Sequence, residues 1–130
     1  MTNFPDSHSD LLDAPVACLA TIGRDGLPQV TAVWFVHDAG ELRLSLSSAR
    51  LKTKNLKARP ECSLIILDPQ NPYRYLEVRG RARVEVDEGH VLAGAIGAKY
   101  NANVREWDGP DDVRMAVTIE PANVYAVAMG

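Results

Sequence analysis

The sequence predicts a mainly β protein, an antiparallel β-barrel with a few added helices, and three observations lead there. Apolar, partly β-branched runs recur along the chain, separated by Asp-Gly and Pro turn signals. From Tyr75 to Asp87 apolar and charged residues alternate strictly, with Leu76, Val78, Gly80, Ala82, Val84 and Val86 on one face and Glu77, Arg79, Arg81, Arg83, Glu85 and Asp87 on the other. Helical spacing is confined to short stretches, so strands dominate.

Each element follows from local chemistry. The first dozen residues read as a loose arm with one helical turn through Leu11 and Leu12, capped by Ser9 or Asp10 and ended by Pro15. Val16–Ile22 and Gln29–His37 form a hairpin around Arg24-Asp25-Gly26. Asp38-Ala39-Gly40 repeats the turn and leads into Glu41–Ser47, where Leu42, Leu44 and Leu46 alternate with polar residues, giving a three-stranded meander. A helix is expected over Arg50–Ala58, capped by Ser47 or Ser48 and stopped by Pro60, because the residue before proline is pushed out of helical geometry.

Glu61–Leu67 resumes as a buried strand, and residues 68–72 form a turn-rich loop before the long alternating strand. Gly80 in that strand marks a bend or bulge, as a strand curling around a barrel needs. Glu88–Tyr100 is read as a helix with Val91, Leu92, Ala95, Ile96 and Lys99 at helical spacing. Residues 101–112 are a loop, and Val113–Ile119 and Asn123–Ala128 are two closing strands divided by Glu120-Pro121.

Composition limits the function classes. A chain of 130 residues is expected to form one domain, 1–130. A formal net charge of −3 argues against general nucleic-acid or membrane-surface binding. The opening MTNFPDSHSDLLDAP has neither a basic n-region nor an apolar h-region, so a soluble, cytoplasmic protein is expected. Cys18 and Cys62 lie in strand-like runs and read as free buried thiols. His8, His37 and His90 are scattered as surface or edge residues, and no metal site is expected. There is no GxSxG elbow, P-loop or GxGxxG, so an organic cofactor would have to carry any catalysis.

One segment stands apart electrostatically. Between Glu41 and Glu61 there is no acidic residue, yet Arg43, Arg50, Lys52, Lys54, Lys57 and Arg59 fall there, six of the fourteen cations. A strand handing over to a basic helix whose free N–H groups also attract anions fits a phosphate site. A solvated amphipathic helix accounts for the same spacing. Trp34 and Phe35 are adjacent on one strand, so one faces the core and the other a cleft or a partner. Trp107 either anchors a loop or closes the core.

The run VACLATIGRDGLPQVTAVWF, then ELRLSLSSARLKTKNLKARP, then YLEVRGRARV resembles the pyridoxamine 5′-phosphate oxidase-like, flavin- and deazaflavin-binding split β-barrel superfamily over nearly the whole chain. Within it, the sequence is most similar to the B group of actinobacterial deazaflavin-dependent oxidoreductases, which use coenzyme F420. The resemblance implies an FMN-binding-like split barrel that works as a homodimer with cofactor sites between subunits. It implies that Arg50 and Lys52 hold the cofactor phosphate, with Lys54 and Asn55 close by. Ser45 and Ser47 would lie beneath the cofactor, and the strand from Pro28 and Gln29 through Val33 would run along its rings. Tyr73 would cover the partner's cleft, or is an ordinary loop tyrosine.

The activity implied is hydride transfer from reduced F420 to an activated conjugated double bond of a small organic substrate, with no proton donor identified. FMN is the alternative cofactor, in a reductase or oxidase of the same superfamily, and a non-catalytic cofactor-binding protein is the alternative from another class. An RNA or acidic-protein binder ranks lower, because the basic face lacks interleaved aromatics. The sequence ends at Tyr125–Gly130 without the basic C-terminal segment of true pyridoxamine phosphate oxidases, so vitamin B6 oxidation is not expected.

Overall fold

The computed structural model describes residues 4–129. Seven strands form one antiparallel sheet: β1 (Ala17–Ile22), β2 (Pro28–Val33), β3 (Val36–Asp38), β4 (Glu41–Ser47), β5 (Glu61–Asp68), β6 (Asn71–Val86) and β7 (Arg114–Ala128). Their order is β2-β1-β5-β6-β7-β4-β3. The two edge strands, β2 and β3, are consecutive in the chain and joined only by Trp34 and Phe35. Three Cα steps reach at most about 11 Å, so the sheet must curl until its edges nearly meet. The result is a split barrel.

Alternation then decides what fills it. Leu19, Leu42, Leu44, Leu64, Ile66, Leu76, Val78 and Val117 point inward and are fully buried, together with Phe35 of the crossover. Helix α1 (Leu51–Ala58) plugs one end with Leu56, and a 3-10 turn over Asp6–Asp13 contributes Leu11 and Leu12. Helix α2 (Val91–Tyr100) covers the outside of the barrel, where Leu92, Ala93 and Ile96 meet Val36, Val104 and Ala116. Its entrance is capped by buried Asp87, whose carboxylate accepts from the Leu92 and Ala93 N–H groups at 3.0 and 2.8 Å.

Several expectations change once the chain closes on itself. The β1–β2 hairpin is present, with Ala17 opposite Val33 and Ile22 opposite Pro28. The second run, however, breaks at Trp34-Phe35. Its tail becomes β3, which pairs with β4 around the left-handed turn residues Ala39 and Gly40. β4 also pairs with β7, so there is no three-stranded meander. The loop over residues 68–72 shrinks to the turn at Pro69-Gln70, because Asp68 pairs with Asn71.

The two closing strands are one. β7 runs through Glu120-Pro121 because a bulge sits there: Arg79 is opposite Asn123 while Gly80 is opposite Pro121. Residues 1–3 of the expected loose arm lie outside the described residues. The rest is packed, and its turn is entered at Pro5 without the cap expected from Ser9 or Asp10. Arg74 holds it by donating to Asp10 Oδ1 at 2.7 Å and to the Ser7 carbonyl at 2.8 Å. His8, read as a surface or edge residue, is buried with Nε2 3.0 Å from the Val127 carbonyl oxygen. On α2 the inward face is Leu92, Ala93 and Ile96, leaving Val91 and Ala95 exposed. Asp87 leaves the polar face of β6 to cap that helix.

Gly80 is required by the bulge. A Cβ there would collide with the Glu120 carbonyl, part of the backbone of the paired strand. Gly80→Ala is expected to lower stability by roughly 2 kcal/mol through overpacking. Gly94, mid-helix with open space where a Cβ would go, should instead gain about 0.5–1 kcal/mol on mutation to Ala. Thermal unfolding of both variants checks the opposite signs.

Candidate functional site: a cationic cavity at the barrel seam

Where the seam opens, the end of β2, the crossover, the end of β4, the entrance of α1 and the loop before β7 enclose a cavity of about 750 Å³. Its lining includes Val33 and Trp34 from the end of β2 and the crossover, Ser45 and Ser47 from the end of β4, and Arg50 and Lys52 at the helix entrance. Trp107, Asp108, Asp112 and Arg114 complete the lining.

Local sequence builds the cationic end. The Ser47 hydroxyl accepts from the Ala49 N–H at 3.2 Å, and the Ser47 carbonyl accepts from the Thr53 hydroxyl at 2.7 Å. These bonds tie the end of β4 to the first turn of α1. Arg50 occupies the N-cap position, and neither Ser47 nor Ser48 caps the helix by side chain as expected. No acidic residue stands in the first turn, so its free N–H groups have no built-in anion.

Arg50 is exposed and has no carboxylate partner among the described residues. Lys52 is half-buried, with Nζ donating to the neutral Thr31 hydroxyl at 3.2 Å. Burial, and then the charge of Arg50, lower its pKa from the usual lysine value. Two neighbouring cations, one partly desolvated and neither neutralised, are a site that an anion would relieve.

The Arg114 side of the lining is electrically settled. Arg114 is buried and donates from Nε to Asp108 at 2.8 Å, from Nη2 to the Val104 carbonyl at 2.9 Å and from Nη1 to the Ser45 carbonyl at 3.3 Å. The guanidinium holds the Asp108 carboxyl below the ordinary range. Asp112 accepts from the Gly109 N–H at 2.9 Å. Above the cavity, Trp34 stacks on Tyr100 with centroids 4.3 Å apart, and Trp107 meets Trp34 edge-on at 6.2 Å.

Of the residues singled out from sequence, Val33, Ser45, Ser47, Arg50 and Lys52 come together around the cavity. Others are placed elsewhere. Asn55 is buried, donating to the Thr21 hydroxyl at 3.1 Å and accepting from Arg59 at 3.4 Å, which fastens α1 to β1. Arg59 also donates to the Ile22 carbonyl at 2.8 Å. Pro28 lines a separate outer groove with Cys62 and Arg79, and Gln29 accepts from Thr21 at 3.3 Å. Lys54 is exposed on α1 outside the cavity lining, and exposed Tyr73 does not line it within one chain.

Trp34 divides from Phe35 as adjacency requires, since Phe35 fills the core and Trp34 lines the cavity. No sequence signal marks the Arg114–Asp108 pair, because nothing in a loop-to-strand arginine announces burial. Among the described residues no group of His, Cys, Asp and Glu is placed to hold a metal, and both cysteines are free.

Because Arg114 is buried, Asp108→Ala should cost roughly 3–5 kcal/mol by stranding its charge, and adding Arg114→Met should recover much of that loss. The pair stabilises above the unfolded carboxyl pKa, and its contribution disappears as pH falls through the depressed folded value. Denaturant melts of the single and double variants at neutral and acid pH read both effects.

The sequence profile of pyridoxamine 5′-phosphate oxidase matches residues 4–128. A structure described as an F420 reductase shares 33% identity, covering 94% of this chain and 98% of that one, with a TM-score of 0.80. A conserved hypothetical protein from Mycobacterium tuberculosis matches at 22% identity over 95% of this chain and 84% of its own, with a TM-score of 0.78. The heme storage protein of Vibrio cholerae matches at 14% identity over 99% and 98%, with a TM-score of 0.77. The last two share the fold alone. A profile that spans almost the entire chain, on a barrel split at the seam described above, establishes that this protein belongs to the pyridoxamine 5′-phosphate oxidase family.

Proposed function

We propose that the protein is an F420-dependent reductase that passes a hydride from the reduced deazaflavin to an activated conjugated double bond of a small organic substrate. The observation that carries this reading is the acid-free pair Arg50 and Lys52 at the mouth of a cavity of about 750 Å³. Such a pair suits a cofactor phosphate, and arginine can grip two phosphate oxygens at once. The residues fit the group. Exposed Lys54 and Lys57 on the same helix extend the positive surface toward a polyanionic tail, which F420 carries and FMN lacks. The 33% identity to an F420 reductase supports the same choice.

Bound there, the reduced deazaflavin would supply the hydride. Arg50 and Lys52 anchor the phosphate, Ser45 and Ser47 line the floor, and Val33 flanks the ring system. Asp108 stays ionised against Arg114 and cannot donate a proton, so protonation of the product is assigned to solvent. Catalysis then rests on holding two flat reactants at near-attack distance.

The site is proposed to work in a homodimer, with Tyr73 of one subunit over the cleft of the other. Register supports a face for this. Ala32, Cys18, Ile65, Glu77 and Tyr125 form one outward row across β2, β1, β5, β6 and β7, and Val30, Ala20 and Ser63 extend it. Glu77 is paired with Arg79, which stands opposite Ser63 and over the Tyr125 ring, and the rest of the patch is small or apolar, as a self-complementary interface needs. Ile65→Lys is expected to yield a folded monomer in analytical ultracentrifugation.

Fluorescence titration with F420, and with FMN in parallel, tests the cofactor. Tighter binding of F420 is expected, and Arg50→Ala or Lys52→Ala should each weaken it roughly 10- to 100-fold. Stronger binding of FMN would move the protein to the flavin branch. Unchanged affinity in folded variants would remove the site. A bound anion favours charged Lys52, so the bound-state pKa exceeds that of the free protein. Affinity is therefore full below the free-state pKa and falls as pH rises through it, beginning below the usual lysine range. Lys52→Arg should flatten that fall.

A further inference from the structure

We infer that Trp34 and Trp107 form the substrate-side wall of the cavity, a fixed aromatic recess that selects flat, extended conjugated acceptors, with Tyr100 as the residue that positions Trp34. The inference rests on the reductase reading of the same site and names its substrate class.

Placement comes first. The chain has two tryptophans, and both line this one cavity although they lie on different elements. Trp107 is 62% exposed and Trp34 36% exposed. Large indoles left open at a cavity forgo burial that would otherwise stabilise the fold. Their rings meet at 70° with centroids 6.2 Å apart, so the wall they share is angled rather than flat. The uncompensated cations Arg50 and Lys52 sit at the α1 entrance, whereas beside Trp107 the charge of Arg114 is neutralised by Asp108, so the two indoles are the aromatic surface left for a flat, neutral ring.

Rigidity is the second observation. Tyr100 lies against Trp34 at 4.3 Å and within 5° of parallel. Its hydroxyl accepts from the Phe35 N–H at 3.1 Å and donates to the Phe35 carbonyl at 3.2 Å. Lys99 donates to the same carbonyl at 2.8 Å and to the Ala14 carbonyl at 2.9 Å, with its ammonium 3.9 Å from the centre of the Phe35 ring. The peptide groups on both sides of Phe35, the residue next to Trp34, are therefore fixed. At the Trp107 half of the wall, Asn103 accepts from the Arg105 N–H at 3.1 Å, and Arg114 fixes the Val104 carbonyl, setting the short turn that carries Trp107. Aromatic rings held this way cost little conformational entropy on binding and favour ligands with a matching flat face.

The chemistry balances with an acceptor such as 1,4-naphthoquinone. A hydride from reduced F420 and a proton from solvent convert it to the hydroquinone, reduced by two electrons as the deazaflavin is oxidised by two. The test compares it with 2-cyclohexen-1-one, which is conjugated but small and puckered. The wild type should favour the naphthoquinone in kcat/KM. Trp107→Ala should cut that preference roughly five- to tenfold, with F420 affinity retained. Tyr100→Phe, which keeps the ring and loses the clamp, should raise KM for the naphthoquinone with kcat retained.

Loss of F420 affinity in Trp107→Ala would place that indole on the cofactor and overturn the inference. So would an unchanged preference, or an equal effect of Tyr100→Phe on both acceptors. If the wild type binds no F420, the reductase reading fails, and the recess is tested alone by tryptophan fluorescence with 1,4-naphthoquinone. Saturable quenching weakened by Trp107→Phe supports it, and purely collisional quenching overturns it.

Discussion

The two-residue crossover at Trp34-Phe35 is the constraint on which the rest of this structure depends. It joins strands at opposite edges of a seven-stranded sheet, so the sheet has no choice but to close. Phe35 enters the core and sits at zero exposure, while its neighbour faces the seam. The peptide between them cannot join a strand ladder on both sides, and Lys99 and Tyr100 supply the missing partners for the Phe35 backbone groups. Helix α2 is thus more than a cover. It secures the closure and aims Trp34 into the cavity.

Electrostatics gives that cavity its direction. At one end Arg50 and Lys52 face each other without a carboxylate, and the consequence is visible in the lowered pKa of Lys52. At the other, buried Arg114 is paired with half-buried Asp108 and donates its remaining N–H groups to backbone carbonyls. Two arginines within one cavity therefore have different roles, one available to a ligand and one committed to holding a loop. The barrel places them in one lining by ending β4 and beginning β7 side by side, with Ser47 opposite Arg114.

How much could be read beforehand differs by element. The β1–β2 hairpin, the alternation of β6 and the need for a bulge at Gly80 were legible, because each is a property of a few neighbouring residues. The break in the run 29–37 was not, since Trp34 and Phe35 suit a strand as well as their neighbours do. Nor was the continuity of β7, where proline reads as a stop and is accommodated by the extra residue of a bulge. Asn55 shows the same limit in the site. The family resemblance implied a place close to the cofactor phosphate, yet its turn of the helix faces β1, where it meets Thr21.

What the sequence by itself determined was local: which segments alternate with period two, where glycine and aspartate turn the chain, and that one helix carries cations with no acid nearby. These follow from backbone sterics, side-chain polarity and charge, which neighbours along the chain settle among themselves. The tertiary structure decided which strands pair, that Arg114 is buried against Asp108, and that two distant tryptophans share a cavity with Arg50 and Lys52. The sheet order and the shared cavity depend on closing the sheet, a long-range event in which residues more than fifty positions apart become neighbours, and Arg114 and Asp108, six positions apart, are shielded by it. Burial, pairing and pKa follow only from that closure.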